Sequence, residues 1–334
     1  MGGKFAAFMH QRYSQVIVTA LVLGLVSGGW TPAPGRFIRR FAFALIFLMI
    51  GAMGFTLRLS TLGRALQETK AFLVGLGLNF AAAPLLCWVL ALLWLGGEPD
   101  LAAGVILIGA VPCAGMAIVW TGLLKGDVAL ATVINVATMI AAPFLIPALM
   151  KLFAGAYLAV DAGALFASVL ESVLMPLLVG LLAREALERR RDMTPWVPLM
   201  PAVSGAAAAI LMFMAVNTSV PLLRANLYVL GPLTAALVLV FPVLFFAAWA
   251  IGRSFLSPTK NIALIFSAGM KNLPIAVAVA AVSLPELAQF PVALAFVFQM
   301  ATAVMFYRRL QRATTAVGQP AAPNTSSSPS RSSG

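Results

Sequence analysis

Two long apolar stretches of this chain are each interrupted near the middle by residues that a continuous helix does not tolerate. The first runs VILIGAVPCAGMAIVWTGLLKGD, Val105 to Asp127, with Pro112, Cys113 and Gly115 at its break. The second runs IALIFSAGMKNLPIAVAVAAVSL, Ile262 to Leu284, with Gly269, Lys271, Asn272 and Pro274 at its break. Proline withholds a backbone donor and pushes a carbonyl out of the helical ladder. Inside hydrocarbon, such freed groups persist only where protein or a water-lined cavity satisfies them. Paired interruptions at corresponding places in two halves of a chain point to the binding site of a carrier. The expectation is a membrane transporter with its site at the two breaks.

The rest of the chain can supply the membrane. Hydrophobic residues make up 62% and charged residues 10%, against about 25% charge in a soluble domain. A hydrocarbon core of about 30 Å needs roughly 20 apolar residues to cross. Ten candidate spans follow, at 14–30, 41–57, 71–95, 101–124, 128–153, 163–183, 197–222, 226–251, 261–284 and 287–307. The predicted fold class is therefore an all-α multi-pass membrane protein. Five spans per half turn the second half upside down, so residues 1–153 and 154–307 are expected to be inverted repeats. Span three carries Asn79 and Pro84 and span eight Pro242, while spans four and nine carry Pro112 and Pro274. Beyond them, 308–334 reads as a disordered cytoplasmic tail of low complexity.

The net charge of +12 is topological. Arg36, Arg39, Arg40, Lys151 and Arg224 fall on one side of the predicted spans, Lys271 lies within span nine, and every other Lys and Arg falls on the opposite side. That asymmetry follows the positive-inside rule. It places both termini in the cytoplasm and the protein in the plasma membrane, with the lipid bilayer rather than nucleic acid as its surroundings. Cys87 and Cys113 both fall within spans, and His10 is the single histidine. Neither a disulfide framework nor a zinc site is implied. With no phosphate-binding loop, metal-ligand spacing or catalytic triad, no enzyme and no cofactor are expected. Energy has to come from an ion gradient.

Lys271 is the strongest chemical signal. It stands about ten residues from either end of span nine, too deep to snorkel easily. A lysine at a helix centre costs about 2.5–3.5 kcal/mol on insertion scales. Lys271 reads as a proton-titrating group or as a fixed positive charge facing an anionic substrate. Glu171, the carboxylate well inside span six, is its expected partner, because a buried charge usually needs one. Cys113 is either packing or a soft ligand for a thiophilic substrate such as trivalent arsenic. Asn79, Thr121, Asn135, Thr138 and Asn272 supply neutral hydrogen-bonding groups. Of these, Cys113, Asn79, Thr121 and Asn272 are candidate substrate contacts. Lys271, Glu171 and Asn135 are candidate coupling residues. Pro112, Gly115, Gly269 and Pro274 make the helix breaks.

At these motifs the sequence resembles the bile acid:sodium symporter superfamily, including its arsenite-permease branch, over roughly residues 14–307. FLMIGAMGFTLRLSTLGRAL (Phe47 to Leu66) looks like the family's second span and following loop, and LLKGDVAL (Leu123 to Leu130) like its span four–five connection. The resemblance implies ten spans in inverted five-span repeats, a core and a panel, and spans four and nine crossing as broken helices in the core. Cys113, Met116 and Ile118-Val119-Trp120, followed by Gly126-Asp127, look most like the arsenite branch, in which the matching cysteine is thought essential. That branch has arginine where this chain has Pro112, and an acidic residue where it has Pro274. The sodium branch uses a Ser-Asn pair, a Glu with a following Gln-Asn, and a span-three Gln as sodium ligands. The matching positions here are Ala117 and Ile118, then Ser267, Lys271 and Asn272, and Asn79.

A lysine at a sodium ligand repels the ion and can stand in its place. Transport is therefore expected not to require sodium, with a proton favoured as the coupling ion. The expected activity is gradient-driven efflux of arsenite or a related small solute. The alternative is uptake of an organic anion such as a steroid conjugate, pantothenate or a keto acid.

Overall fold

A computed structural model describes residues 2–57, 69–155, 157, 162–193, 195–225 and 227–317. Residues 58–66 of the second-span motif and the tail beyond Val317 lie outside it. Every regular element among the described residues is helical. The chain begins with α1 (Gly2–Trp30), α2 (Ala33–Arg39) and α3 (Ala42–Thr56). Next, α4 (Thr69–Gly77) passes through a π-helical turn (Leu78–Ala82) into α5 (Ala83–Trp94). The short α6 (Pro99–Ala110) and α7 (Met116–Leu123) precede the long α8 (Val128–Ala154). In the second half, α9 (Ala162–Val169) passes through another π-turn (Leu170–Leu174) into α10 (Met175–Glu188). There follow α11 (Leu199–Arg224), α12 (Leu230–Gly252), the short α13 (Pro258–Gly269) and α14 (Leu273–Ser283), and finally α15 (Gln289–Val317).

Among the described residues, seven helical segments are long and apolar enough by themselves to cross a membrane, and α2 with α3, bent by 63°, makes an eighth if the pair is one span. The two remaining expected spans are the broken ones. Their pieces are 12 and 8 residues for α6 and α7, and 12 and 11 for α13 and α14. None of these is long enough alone.

Packing falls into two groups. In one, α1, α2, α3 and α10 gather around α11 and each other; in the other, α4 to α8 pack with α12 to α15. Small residues set the closest approaches of the first group, as they do in membrane helix pairs generally. A Cβ on Gly180 would lie 2.0 Å from the Gly51 carbonyl oxygen, and one on Gly54 2.2 Å from that of Leu177. Buried polar side chains close the helix ends. Asn217 Oδ1 accepts from the Gly35 N–H at 2.9 Å, while its Nδ2 donates to Ser27 Oγ at 2.9 Å and the Thr31 carbonyl at 3.2 Å. Arg184 Nη1 donates to the Phe55 and Thr56 carbonyls at 3.1 and 2.8 Å, satisfying groups that the end of α3 leaves open. The two groups touch where α11 packs on α14 and α15, and through an Arg39–Glu286 ion pair at 3.1 Å.

Candidate substrate site

Both breaks have local causes. Pro112 disfavours helical geometry at the residue before it; Val111 is extended, at φ −74° and ψ 157°, and ends α6. In the second break Met270 is extended at φ −102° and ψ 107° after Gly269. Asn272 then starts α14 as an N-cap, its Oδ1 accepting the Ile275 N–H at 3.3 Å, with Pro274 in the first turn, where its missing donor matters least.

The two breaks cross and satisfy each other. Cys113 and Lys271 face one another as an isolated antiparallel bridge. The Ala114 N–H donates to the Met270 carbonyl at 2.8 Å, and the Asn272 N–H to the Pro112 carbonyl at 2.8 Å. Backbone groups released by one interruption are thus taken up by the other, as the absence of water in a membrane core demands.

Neighbouring helices hold this crossing from both sides. From α8, the Thr138 hydroxyl accepts the Cys113 N–H at 3.3 Å, and Asn135 Nδ2 donates to the Cys113 carbonyl at 2.9 Å. From α15, Gln299 grips the Lys271 peptide unit at both ends: its Oε1 accepts the Lys271 N–H at 2.7 Å and its Nε2 donates to the Lys271 carbonyl at 3.1 Å.

The Lys271 side chain has no exposed surface. Its Nζ donates to Asn79 twice, to the backbone carbonyl at 3.1 Å and to Oδ1 at 3.2 Å. Asn79 cannot swing away, because its Nδ2 is bound to the Gly75 carbonyl at 2.9 Å and the Ser267 carbonyl at 3.1 Å. The Ser267 hydroxyl and Asn272 Nδ2 are buried without a hydrogen-bond partner among the described residues. Residues 111 to 114 are buried and Gly115 is exposed, with open space where its side chain would be. Gly269 is the opposite case, since a Cβ there would lie 2.2 Å from Cδ2 of Phe245.

The structure brings Cys113, Asn79, Asn135, Lys271 and Asn272 together with Pro112, Gly115, Gly269 and Pro274. One expectation is corrected. Glu171 does not meet Lys271: it is exposed on the second π-turn, and the ammonium is met by neutral oxygens of Asn79 instead. Thr121 is buried within α7 and donates to the Ala117 carbonyl one turn back at 2.8 Å. Gln299 was not anticipated. Its signal is an amide near the middle of a mostly apolar span, quieter than a charge but equally in need of partners.

A profile of the sodium bile acid symporter family matches residues 42–226. The chain belongs to that family. Within it, the chain is 29% identical over 203 residues to the uncharacterized sodium-dependent transporter YocS of Bacillus subtilis (strain 168), covering 60% of each protein. It is 36% identical over 165 residues to the probable sodium/metabolite cotransporter BASS1, chloroplastic, of Oryza sativa subsp. japonica, covering 49% of this chain and 40% of that one. It is 25% identical over 202 residues to the arsenical-resistance protein Acr3 of Alkaliphilus metalliredigens (strain QYMF), covering 55% and 57%. These matches span from two fifths to three fifths of the relatives' lengths. Membership and the long apolar helices together describe a multi-pass membrane protein of a family of transporters.

Proposed function

We propose that this protein is a secondary active carrier of a small organic anion whose transport does not depend on sodium. In this reading its spans form two inverted five-span repeats, 1–153 and 154–307, in the plasma membrane with both termini cytoplasmic. The observation that carries the reading is the Lys271 ammonium, fully buried beside the crossing and bonded, among the described residues, to neutral oxygens alone. Enclosing such an ion costs several kcal/mol even after relaxation. A carboxylate about 4 Å away would return roughly 4 kcal/mol at an effective dielectric of 20. The same ammonium lies against an asparagine carbonyl and amide oxygen, the kind of ligand a hard cation takes. It does a cation's work from within the chain. A proton gradient or the membrane potential then supplies the drive.

Arsenite efflux is the second reading. What favours it is the place of Cys113, paired with Lys271 across the bridge, since facing residues of an antiparallel pair put their side chains on one side.

Purified protein in sodium-free proteoliposomes separates these readings. Labelled taurocholate, pantothenate and pyruvate are offered as anions under an imposed proton gradient and membrane potential, and arsenite in parallel. Anion accumulation unchanged by added sodium, and retained in Cys113→Ala, supports the leading reading. A clear sodium dependence at fixed pH and potential sinks it. Arsenite accumulation that disappears in Cys113→Ala installs the second.

A further inference from the structure

In a regular α-helix the Asn79 carbonyl would accept the N–H four residues on, that of Ala83. Here the Ala83 N–H reaches back five residues, to the carbonyl of Leu78. Continuing the π pattern would give Asn79 the N–H of residue 84, but residue 84 is proline and has none. The two backbone donors that could serve the Asn79 carbonyl are therefore both denied to it. The π-turn also suits Pro84: a proline ring in a helix clashes with the carbonyl four residues earlier, here that of Phe80. One inserted residue relieves such a clash, and single π-turns of this kind gather at functional sites. Close packing on both sides holds the segment in place. A Cβ on Gly109 of α6 would lie 2.7 Å from the Ala83 carbonyl oxygen and 2.7 Å from the Pro84 Cα. A Cβ on Gly75 would lie 2.7 Å from Ile134 Cδ1.

We propose that Pro84 is a positioning residue for Lys271: by keeping residues 78–82 in a π-turn and withholding its own N–H, it turns the Asn79 carbonyl into a fixed acceptor for the ammonium. The amide of Asn79 supports this arrangement rather than replacing it. With Nδ2 engaged by the Gly75 and Ser267 carbonyls, only Oδ1 faces the lysine, so one residue offers two oxygens from a rigid frame. Lys271 is then fixed at both ends, its peptide by Gln299 and its ammonium by Asn79. Any consequence for transport rests on the reading of Lys271 as the charge that faces the substrate. The contact between Pro84 and Lys271 through the Asn79 carbonyl does not.

A double-mutant cycle on the purified full-length protein tests the idea without a substrate, by thermal unfolding of wild type, Pro84→Ala, Lys271→Met and the double variant. Alanine restores an N–H at residue 84, and whether the turn closes to α or stays π, a backbone donor then competes with Lys271 for the Asn79 carbonyl. Pro84→Ala is expected to lower the Tm by several degrees in the wild-type background. It is expected to raise it in Lys271→Met, where the acceptor has lost its ammonium and gains a donor. A proline that merely kinks the helix would shift Tm in the same direction in both backgrounds, and that result overturns the proposal. If Pro84→Ala alone does not fold, recovery of folded protein in the double variant supports it, and a double variant that is equally unfolded overturns it. Neither outcome depends on what the protein carries, so failure of this inference and failure of the anion-carrier reading are separate results.

Discussion

Residues 78–84 read LNFAAAP and residues 170–176 read LESVLMP, and the two segments share one backbone. Each is a five-residue π-turn followed by a helix with proline at its second position. In each, the first residue's carbonyl takes the N–H five residues on, and the second residue's carbonyl, that of Asn79 or of Glu171, faces a proline with no donor. There the likeness stops. Asn79 is wholly buried and receives the Lys271 ammonium. Glu171 is exposed, and the polar contacts of its turn belong to the serines: Ser172 Oγ donates to the Ser168 carbonyl at 2.6 Å, and Ser168 meets Ser283 at 2.8 Å. The same proline spacing accompanies the turn in both places. What the turn does depends on what the fold lays against it, which at Asn79 is α13 and the second break and at Glu171 is the surface.

The comparison breaks most visibly at Lys271. Lys271→Met leaves both Asn79 oxygens facing an apolar side chain and removes the charge offered to an anion. Anion uptake in sodium-free proteoliposomes is expected to fall by about 100-fold, the scale of one lost hydrogen bond to a charged group, roughly 1.5–3 kcal/mol, at about 1.4 kcal/mol per tenfold. Full uptake in that variant would remove Lys271 from the mechanism and reduce the first π-turn to scaffolding.

Asn79→Leu and Glu171→Gln sharpen the contrast at matched positions. The first deprives a buried ammonium of one acceptor and two carbonyls of their donor, a loss of about 2 kcal/mol or more. The second alters an exposed side chain and should stay within about 0.5 kcal/mol of wild type. Thermal unfolding reads both, and equal shifts would mean that the two turns do not differ as their burial says.

The sequence announces some of this arrangement and hides the rest for a physical reason. Proline alone does not mark a break, since Pro143, Pro147, Pro221 and Pro242 lie inside continuous helices; Pro112 and Pro274 stand out because polar residues and glycine accompany them, and eight of the ten expected spans appear as long apolar segments among the described residues. That the freed backbone groups must be satisfied is equally legible. Which partner satisfies them is not, because the crossing of residues 112–114 with 270–272 joins segments some 160 residues apart in the chain. Glu171 as the partner of Lys271 was an inference from charge: an intramembrane cation seeks an anion. The structure meets the same need with a carbonyl that Pro84 has freed. The sequence LNFAAAP contains every residue of that device, but it looks like an ordinary apolar helix with a proline until α13 is laid against it. Gln299 escapes notice for a related reason, since a neutral amide in a span gives no hint that its partner is a peptide unit of another helix.

Pro176→Ala carries the smallest expected effect. Restoring the N–H at residue 176 gives the Glu171 carbonyl a helical donor without taking it from any cation, and one such hydrogen bond is worth about 0.5–1.5 kcal/mol. The looser unfolded chain of an alanine variant offsets roughly 0.4–1 kcal/mol of that. The net is centred slightly above zero, about −0.5 to +1 kcal/mol, so the Tm should stay within about 2 °C of wild type, at roughly 2 °C per kcal/mol for a chain of this size. The same substitution at Pro84 should lower it, although the local sequence, the turn and the chemical change are alike. If Pro176→Ala is as destabilising as Pro84→Ala, then π-turns in this protein are held for their shape alone. If the two shifts differ in sign, the difference measures the ammonium that only one of the turns receives.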